Sequence, residues 1–448
     1  MPIVMAGLFW WEHLYDLIST LADAGIEPSR TRRRGKPWIF VGGQLPSYNP
    51  GPLRELADLA CIGDGEQAAP AALRILAEGG TPRDCLGIPG IYVSEADNRA
   101  AWQQAPDILA TVRWPFWNAT RTEGESGVRV DAEYERRLEI ARGCRRKCLF
   151  CGVSWTKSYR ELPVDVAVEA VRSTEGAVKS FAPDPLRHSG WKAIDDAYRS
   201  TGRVNNASDI STTAILEAGN TGRSGSKMTG IDGLSERLRA ALAKPLRREQ
   251  LREVVRLASS APGALHCYQI VDLPGEQQAD YDEWIEDLRD SVVERDRFVL
   301  TVGLNTFNPT PHTPLQWEGI RLENDTMAAY WRALEILGPA DGRRLQHKML
   351  ARPFGAGRRL LEASVLRGVP ELWPLYLATA AHRVRLDTVA KVRLAARQLR
   401  VLDHLDATVA PRDPSVLSPW ETRVETPWPR STLLAARAHY HRRMGLPL

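Results

Sequence analysis

The sequence predicts an α/β fold in three parts: a small Rossmann-like open α/β layer, a partial (β/α)6 TIM-like barrel, and a helical C-terminal region. Three observations carry this expectation. Short apolar segments alternate with helix-spaced apolar patterns over residues 1–97, and the alternation resumes over 135–320 in six βα units. Over 321–448 the pattern turns Arg-rich and helical, without strand alternation. Residues 98–134 between them read as a connection.

In the first part, residues 2–9 are apolar, and residues 12–24 carry helix-spaced apolar side chains ending at Gly25. Trp38-Ile39-Phe40-Val41 then runs into Gly42-Gly43, and Ala60-Cys61-Ile62 is followed by Gly63-Asp64-Gly65-Glu66, which opens another helix. The alternation rule makes these strands parallel. The connection holds Pro106 and Pro115 with Trp102, Trp114, Phe116 and Trp117, aromatics suited to packing two domains together or to stacking on a substrate. In the barrel, strands are expected to end at Ala141, Phe181, Ser208, Thr229, Val271 and Asn305, with helices over 164–172, 234–243, 248–259 and 281–293. The Pro-rich stretch 411–429 reads as irregular.

Composition narrows the class. A chain of 448 residues with 43% hydrophobic and 25% charged residues has the make-up of a globular protein with a sizeable core. It contains no apolar run of the ~18 residues that span a bilayer and no signal-peptide pattern, so a cytoplasmic location without a membrane partner is expected. The net charge of +4 admits a nucleic-acid partner without arguing for one. Six cysteines are too few for a disulfide framework, and three of them fall within eight residues, which points to metal ligation in a reducing compartment. Cys61, Cys85 and Cys267 are scattered and read as small buried hydrophobes.

The chemistry concentrates in residues 139–152, where Cys144, Cys148 and Cys151 form CxxxCxxC directly after a short apolar strand. Thiolates are soft ligands for iron-sulfur clusters. Three from one loop can hold three corners of a cubane and leave the fourth iron open, whereas a structural zinc or closed relay cluster takes four ligands. Gly143 and Gly152 let the loop curl. Arg142, Arg145, Arg146 and Lys147 either offset the charge of a thiolate-bound cluster or form a solvated basic face.

With Phe150 just before the third cysteine, this segment resembles the hallmark CxxxCxΦC of the radical S-adenosylmethionine (SAM) superfamily. The resemblance implies a [4Fe-4S] cluster on Cys144, Cys148 and Cys151, reductive cleavage of SAM, and hydrogen abstraction by the 5'-deoxyadenosyl radical. It also implies an external electron donor of flavodoxin or ferredoxin type. By the same resemblance, SAM contacts fall on Phe150, on Ala182 and Asp184 after the second strand, and on Ser208 and Asp209 after the third. Further contacts are implied at Asp232, Ser235, Arg237 and Arg239 around the fourth strand, Ile270 on the fifth and Asn305 on the sixth. Asp232 stands where Glu or Gln is commoner.

The N-terminal layer resembles the later half of the cobalamin-binding domain that precedes many radical SAM barrels, through Val41-Gly42-Gly43, Asn49-Pro50 and Ile62-Gly63-Asp64-Gly65-Glu66. It lacks the DxHxxG segment that supplies an axial imidazole, so it is expected to act as a structural cap, with cobalamin-dependent methyl transfer as the alternative. Methylthiotransferases require three further N-terminal cysteines, and Cys61 and Cys85 do not suffice. A different class also stands open: a structural or electron-relay cluster, or zinc, completed by His188 or Cys267. His188 is expected on a polar loop, and His266 and His312 as hydrogen-bonded structural residues. The substrate is not legible. Arg343, Arg344, Arg352, Arg358 and Arg359 form either a solvated helical face or a contact for a polyanion such as nucleic acid.

Overall fold

The computed structural model describes residues 3–33, 35–105, 118–121, 128–131, 136–174, 178–202, 211–218, 225–244, 246–259, 263–291, 298–322, 355–381 and 388–448. The N-terminal layer is a four-stranded sheet in the order β1 (Ile3–Gly7), β2 (Trp38–Gly42), β3 (Leu59–Cys61), β4 (Ile91–Val93). The first three strands are parallel, as expected, but β4 runs antiparallel to β3. The connection before it causes the reversal. Gly79, Gly87 and Gly90 all take positive φ and carry the chain to the far end of the sheet instead of repeating a βαβ crossover.

The helix Glu12–Asp23 buries Leu14, Tyr15, Leu17, Ile18 and Leu21, a spacing that places them on one face. That face meets C-terminal helices: the Tyr15 and Tyr376 rings lie 6.2 Å apart, and Leu360, Leu361, Val365 and Leu375 share the layer's core. The C-terminal region therefore completes the N-terminal layer. It consists, among the described residues, of helices Ala356–Arg367, Trp373–Ala381, Val389–Gln398, Leu402–Val409 and Arg430–Met444. One feature departs from its purely helical expectation: Val424–Glu425 pairs in parallel with Ala100–Ala101 from the connection.

Five further parallel strands follow the layer. β5 (Arg136–Glu139) pairs with β6 (Val178–Phe181), and β7 (Gly225–Asp232), β8 (Gly263–Val271) and β9 (Phe298–Thr306) form a sheet in that order. The strand expected to end at Ser208 lies outside the described residues. The ends expected at Phe181 and Val271 match, and that at Asn305 is one residue short. At the fourth strand the expected end, Thr229, falls short of Asp232. The first strand stops at Glu139, before the expected Ala141, because Ala141–Arg142 turns into a two-residue antiparallel ribbon with Arg160–Glu161. Helices Val164–Ser173, Glu236–Ala241, Arg248–Ser259 and Gln278–Ser291 alternate with these strands.

Side chains on β8 explain which face is available. Leu265, Cys267, Gln269 and Val271 are buried, and the core around Leu265, Cys267 and Val271 includes Leu251 and Val254 of one helix and Trp284 and Leu288 of another. His266, Tyr268 and Ile270, which alternate with them, are only half-buried. One face of the strand is thus sealed by helices, and the other is left partly open. Among the described residues no helix is long and apolar enough to cross a membrane.

Several expectations about single residues are settled by burial. Cys61, Cys85 and Cys267 are buried, as small hydrophobes should be. Trp102 is buried with its ring 6.3 Å from Tyr48 and 6.2 Å from His312, a packing role between segments. Trp114, Phe116 and Trp117 lie outside the described residues, as do Arg343, Arg344 and Arg352. Arg359 corrects the solvated-face reading: it is buried against Asp272 at 2.6 Å and cannot meet a polyanion, whereas Arg358 is exposed and pairs with Glu12.

Candidate functional site

The cysteine loop begins at Gly143, whose φ of +77° is unfavourable for any side chain, and a Cβ there would collide with the Ser158 carbonyl. The curled chain leaves Cys144 and Cys151 half-buried and Cys148 buried. Internal bonds fix its shape: the Cys151 amide donates to the Cys148 carbonyl at 3.1 Å, and the Arg146 amide donates to Cys144 Sγ at 3.4 Å. Trp155 Nε1 donates to the Cys148 carbonyl at 3.0 Å, and the Leu149 amide to the Leu242 carbonyl at 3.1 Å. The last bond ties the loop to the turn after Glu236–Ala241.

Burial pushes the Cys148 thiol up to about 12, with Lys244 opposing the shift and Asp232, Cys151 and Cys144 reinforcing it. Burial also raises Cys144, and Cys151 and Asp184 add to it. The three thiols are therefore electrostatic neighbours, with the acids at the ends of β6 and β7 beside them. Cations that bind here must displace protons. Among the described residues no three His, Cys, Asp or Glu side chains gather at a point that a single metal ion would fill. The donor set, three soft thiols on one loop, suits three corners of an iron-sulfur cubane.

The basic residues around the cysteines do not form one face. Arg142 is bound on three sides: to Glu139 through two bonds of 2.9 and 2.7 Å, to Asp64 at 3.1 Å and to Glu66 at 2.6 Å. Arg145 pairs with Glu161 at 2.9 Å and lies over the Tyr159 ring. Arg146 bonds Thr213 and approaches Asp184 at 3.9 Å, while Lys147 lies 4.1 Å from the Trp428 ring centre. Asp64 also accepts from Arg160 at 3.0 Å and from the Ala105 amide at 3.0 Å. Burial would raise its carboxyl, but Arg142, Lys157 and the Arg160 bond outweigh this and hold it below the usual carboxylate range.

The residues expected to contact SAM fall into three groups. Phe150 is half-buried against the main core, Ala182 is buried, and Asp184 has one buried carboxylate oxygen without a partner among the described residues. Asp232 has a φ of +67° and pairs with Lys244. Ile270 and Asn305 are register partners on β8 and β9, on the partly open side. By contrast Ser235, Arg237 and Arg239 are engaged by partners within the chain, Ser235 and Arg239 buried and Arg237 half-buried. Ser235 caps the helix Glu236–Ala241, accepting from the Leu238 amide at 3.2 Å, and donates to Asp280. Arg237 binds Asp280 at 2.6 Å, and fully buried Arg239 donates to the Leu246 and Leu234 carbonyls at 2.7 and 3.0 Å. Ser208 and Asp209 lie outside the described residues.

Lys244 is a residue that sequence reasoning missed. The left-handed Ala243 folds it back so that its ammonium reaches both Asp232 and the Gly230 carbonyl. A Cβ on Gly230 would sit 3.0 Å from that ammonium and 2.9 Å from the Asp232 carboxylate, so the pair lies close over the Gly230 backbone. Nothing periodic marks a lone lysine in a loop, so no sequence signal pointed to it. His188 needs correction: it is buried, with Nε2 2.9 Å from the Leu162 carbonyl and Nδ1 accepting from the Gly190 amide, because the loop folds under helix Trp191–Ser200. His312 is the hydrogen-bonded structural residue expected, with Nε2 3.0 Å from the Tyr48 carbonyl. For His266, Nδ1 has no partner among the described residues.

Residues 3–87 match the family described as "Radical SAM proteins, N-terminal". None of the curated proteins matches the chain. Among solved structures, the chain is similar to the cobalamin-dependent S-adenosylmethionine radical enzyme OxsB with aqua-cobalamin and S-adenosylmethionine bound. The identity there is 14% and the TM-score 0.41, over 75% of this chain and 47% of that one. OxsB with aqua-cobalamin bound aligns over 99% of this chain and 71% of that one, at 12% identity and a TM-score of 0.41. Methylornithine synthase (PylB) aligns over 67% of this chain and 85% of that one, at 12% identity and a TM-score of 0.32. The chain spans about half the length of the first of these structures. The chain is thus similar to radical SAM proteins in two separate places, the N-terminal match over residues 3–87 and the CxxxCxxC loop with its aromatic Phe150.

Proposed function

We propose that the chain is a radical SAM enzyme in which Cys144, Cys148 and Cys151 hold a [4Fe-4S] cluster. The observation that carries this reading is the grouping of the three thiols on one loop beside Asp184 and Asp232, at the ends of two parallel strands. In this reading β5 to β9, with a further strand between β6 and β7, make a partial (β/α)6 barrel whose chemistry gathers at its C-terminal ends. The bound cluster would supply the electron that cleaves SAM and starts radical chemistry on the substrate. The chain's own residues bind and orient. Phe150 and the backbone at 182–184 flank SAM, with Ser208, Asp209 and Asp232 beside it and Ile270 and Asn305 on the open side. Ser235, Arg237 and Arg239 act through the helix they anchor. An external donor of flavodoxin or ferredoxin type, in a reducing cytoplasmic compartment, completes the system.

The test is anaerobic incubation of the reconstituted protein with dithionite and SAM. Release of 5'-deoxyadenosine and methionine in equal amounts is expected, slowly where substrate is absent. A cluster that assembles but never cleaves SAM, even with crude substrate extracts, would favour the electron-relay class. S-adenosylhomocysteine as the major product would indicate methyl transfer.

Cobalamin is placed outside this reading. At the two glycine turns that resemble cobalamin approach points the chain packs on itself: a Cβ on Gly43 would lie 2.7 Å from the Leu8 carbonyl, and one on Gly63 would collide with Gln103. Large ligands need most of their surface covered by a pocket. Hydroxocobalamin supplied during expression is therefore expected not to copurify through desalting. Retention near one cobalamin per chain would make a cobalamin-dependent methyltransferase the leading reading.

A further inference from the structure

We propose that Asp64 is a positioning residue for the cysteine loop, acting through Arg142, so that the N-terminal layer is a working part of the cluster site; this rests on the radical SAM reading. Arg142 stands two residues before Cys144, and its guanidinium is shared between its own segment and the layer. Glu139 takes two of its bonds, and Asp64 and Glu66 of the layer take the others. A planar fork bound on several sides has little freedom to rotate, so the backbone that leads into Cys144 is fixed with it.

Asp64 is suited to that task because it is itself immobile. Its side chain is 4% exposed and is held by the Ala105 amide and by Arg160, which lies on the ribbon partner of Arg142. Gly63, with a φ of +85°, presses the same turn against Gln103. The layer also meets the other end of the loop. Tyr48 packs so closely on Gly152, next to Cys151, that a Cβ there would collide with the tyrosine hydroxyl. Asp64 at the entrance and Tyr48 at the exit bracket the three cysteines from one domain.

A layer that merely docks would behave differently, and the structure offers the control. Asp97 joins the same layer to the rest of the chain through Arg423, at 2.6 and 3.0 Å, and its described partners, Arg423, Arg54 and Tyr92, all lie outside the cysteine loop. Asp64→Asn and Asp97→Asn each remove one charge at such a joint, and only the first touches Arg142.

The first readout needs no cluster: alkylation of the metal-free protein by iodoacetamide, followed residue by residue by mass spectrometry. Cys144 and Cys151 are expected to react several-fold faster in Asp64→Asn than in the wild type or in Asp97→Asn, with Asp64→Glu restoring most of the protection. The second is the electron paramagnetic resonance spectrum of the reduced, reconstituted cluster, expected to shift or broaden in Asp64→Asn alone. Unchanged alkylation in a folded Asp64→Asn, or an equal rise in Asp97→Asn, overturns the proposal. Should Asp64→Asn fail to fold, Glu66→Gln, which loosens the same guanidinium from a more exposed position, must show the rise instead. A wild-type protein that takes up no cluster would sink the radical SAM reading and leave the alkylation result standing.

Discussion

Replacing Cys144, Cys148 and Cys151 together by alanine is expected to reduce iron uptake from about four irons per chain to none, with loss of the brown charge-transfer absorption. The fold should persist. The three side chains lie on a loop held by backbone bonds, by Trp155 and by Arg142, and of its internal bonds the long one from the Arg146 amide to Cys144 Sγ is lost with the sulfur atoms. Cys148 alone should produce most of the loss, because it is the buried member and its thiol is pushed up to about 12. Burial makes its neutral form the stable one without metal, so cluster assembly must release protons and should proceed faster as pH rises toward that value. Iron analysis after anaerobic reconstitution at two pH values checks both statements. Stoichiometric zinc in protein purified without oxygen would remove the basis for the radical SAM reading.

Much of this site was legible because its signals are local. Helix Arg248–Ser259 matches its expected bounds, since Leu251, Val254, Val255 and Ala258 recur at helical spacing and nothing distant competes with them. The strand ends at Phe181 and Val271 followed from apolar runs closed by polar turns, and the cysteine spacing declares itself. What was not legible depends on partners far along the chain. Arg142 and Asp64 are 78 positions apart by number, and no periodicity links them. The pairing of Ala100–Ala101 with Val424–Glu425 involves two residues on each side, too few for any pattern. Arg237 and Arg239 looked free to bind a ligand because their partners, Asp280 and the 234 and 246 carbonyls, are supplied by the fold. Residue type alone cannot tell a ligand-binding arginine from a buried structural one.

That distinction underlies the second large effect, at the joint between the strand ends and the C-terminal helices. Asp272 follows β8 in a left-handed conformation, and its carboxylate meets Arg359 of helix Ala356–Arg367 at 2.6 Å. Both side chains are buried, at 2% and 7% exposure, so neither charge has water to fall back on. The same helix inserts Leu360, Leu361 and Val365 into the core of the N-terminal layer. One ion pair thus links the end of β8 to a helix that packs on the N-terminal layer. Asp272→Ala is expected to destabilise the protein by about 3–5 kcal/mol in urea unfolding, since it strands a buried guanidinium that cannot lose its proton. Arg359→Met should cost less, because the carboxyl it leaves behind can be neutralised by taking up a proton. In the double variant Asp272→Leu with Arg359→Met, apolar side chains replace both charges, and most of the loss should be recovered. Losses below about 1 kcal/mol in both single variants would mean that the pair behaves as a solvated surface bridge, and that apolar packing alone holds the helix in place.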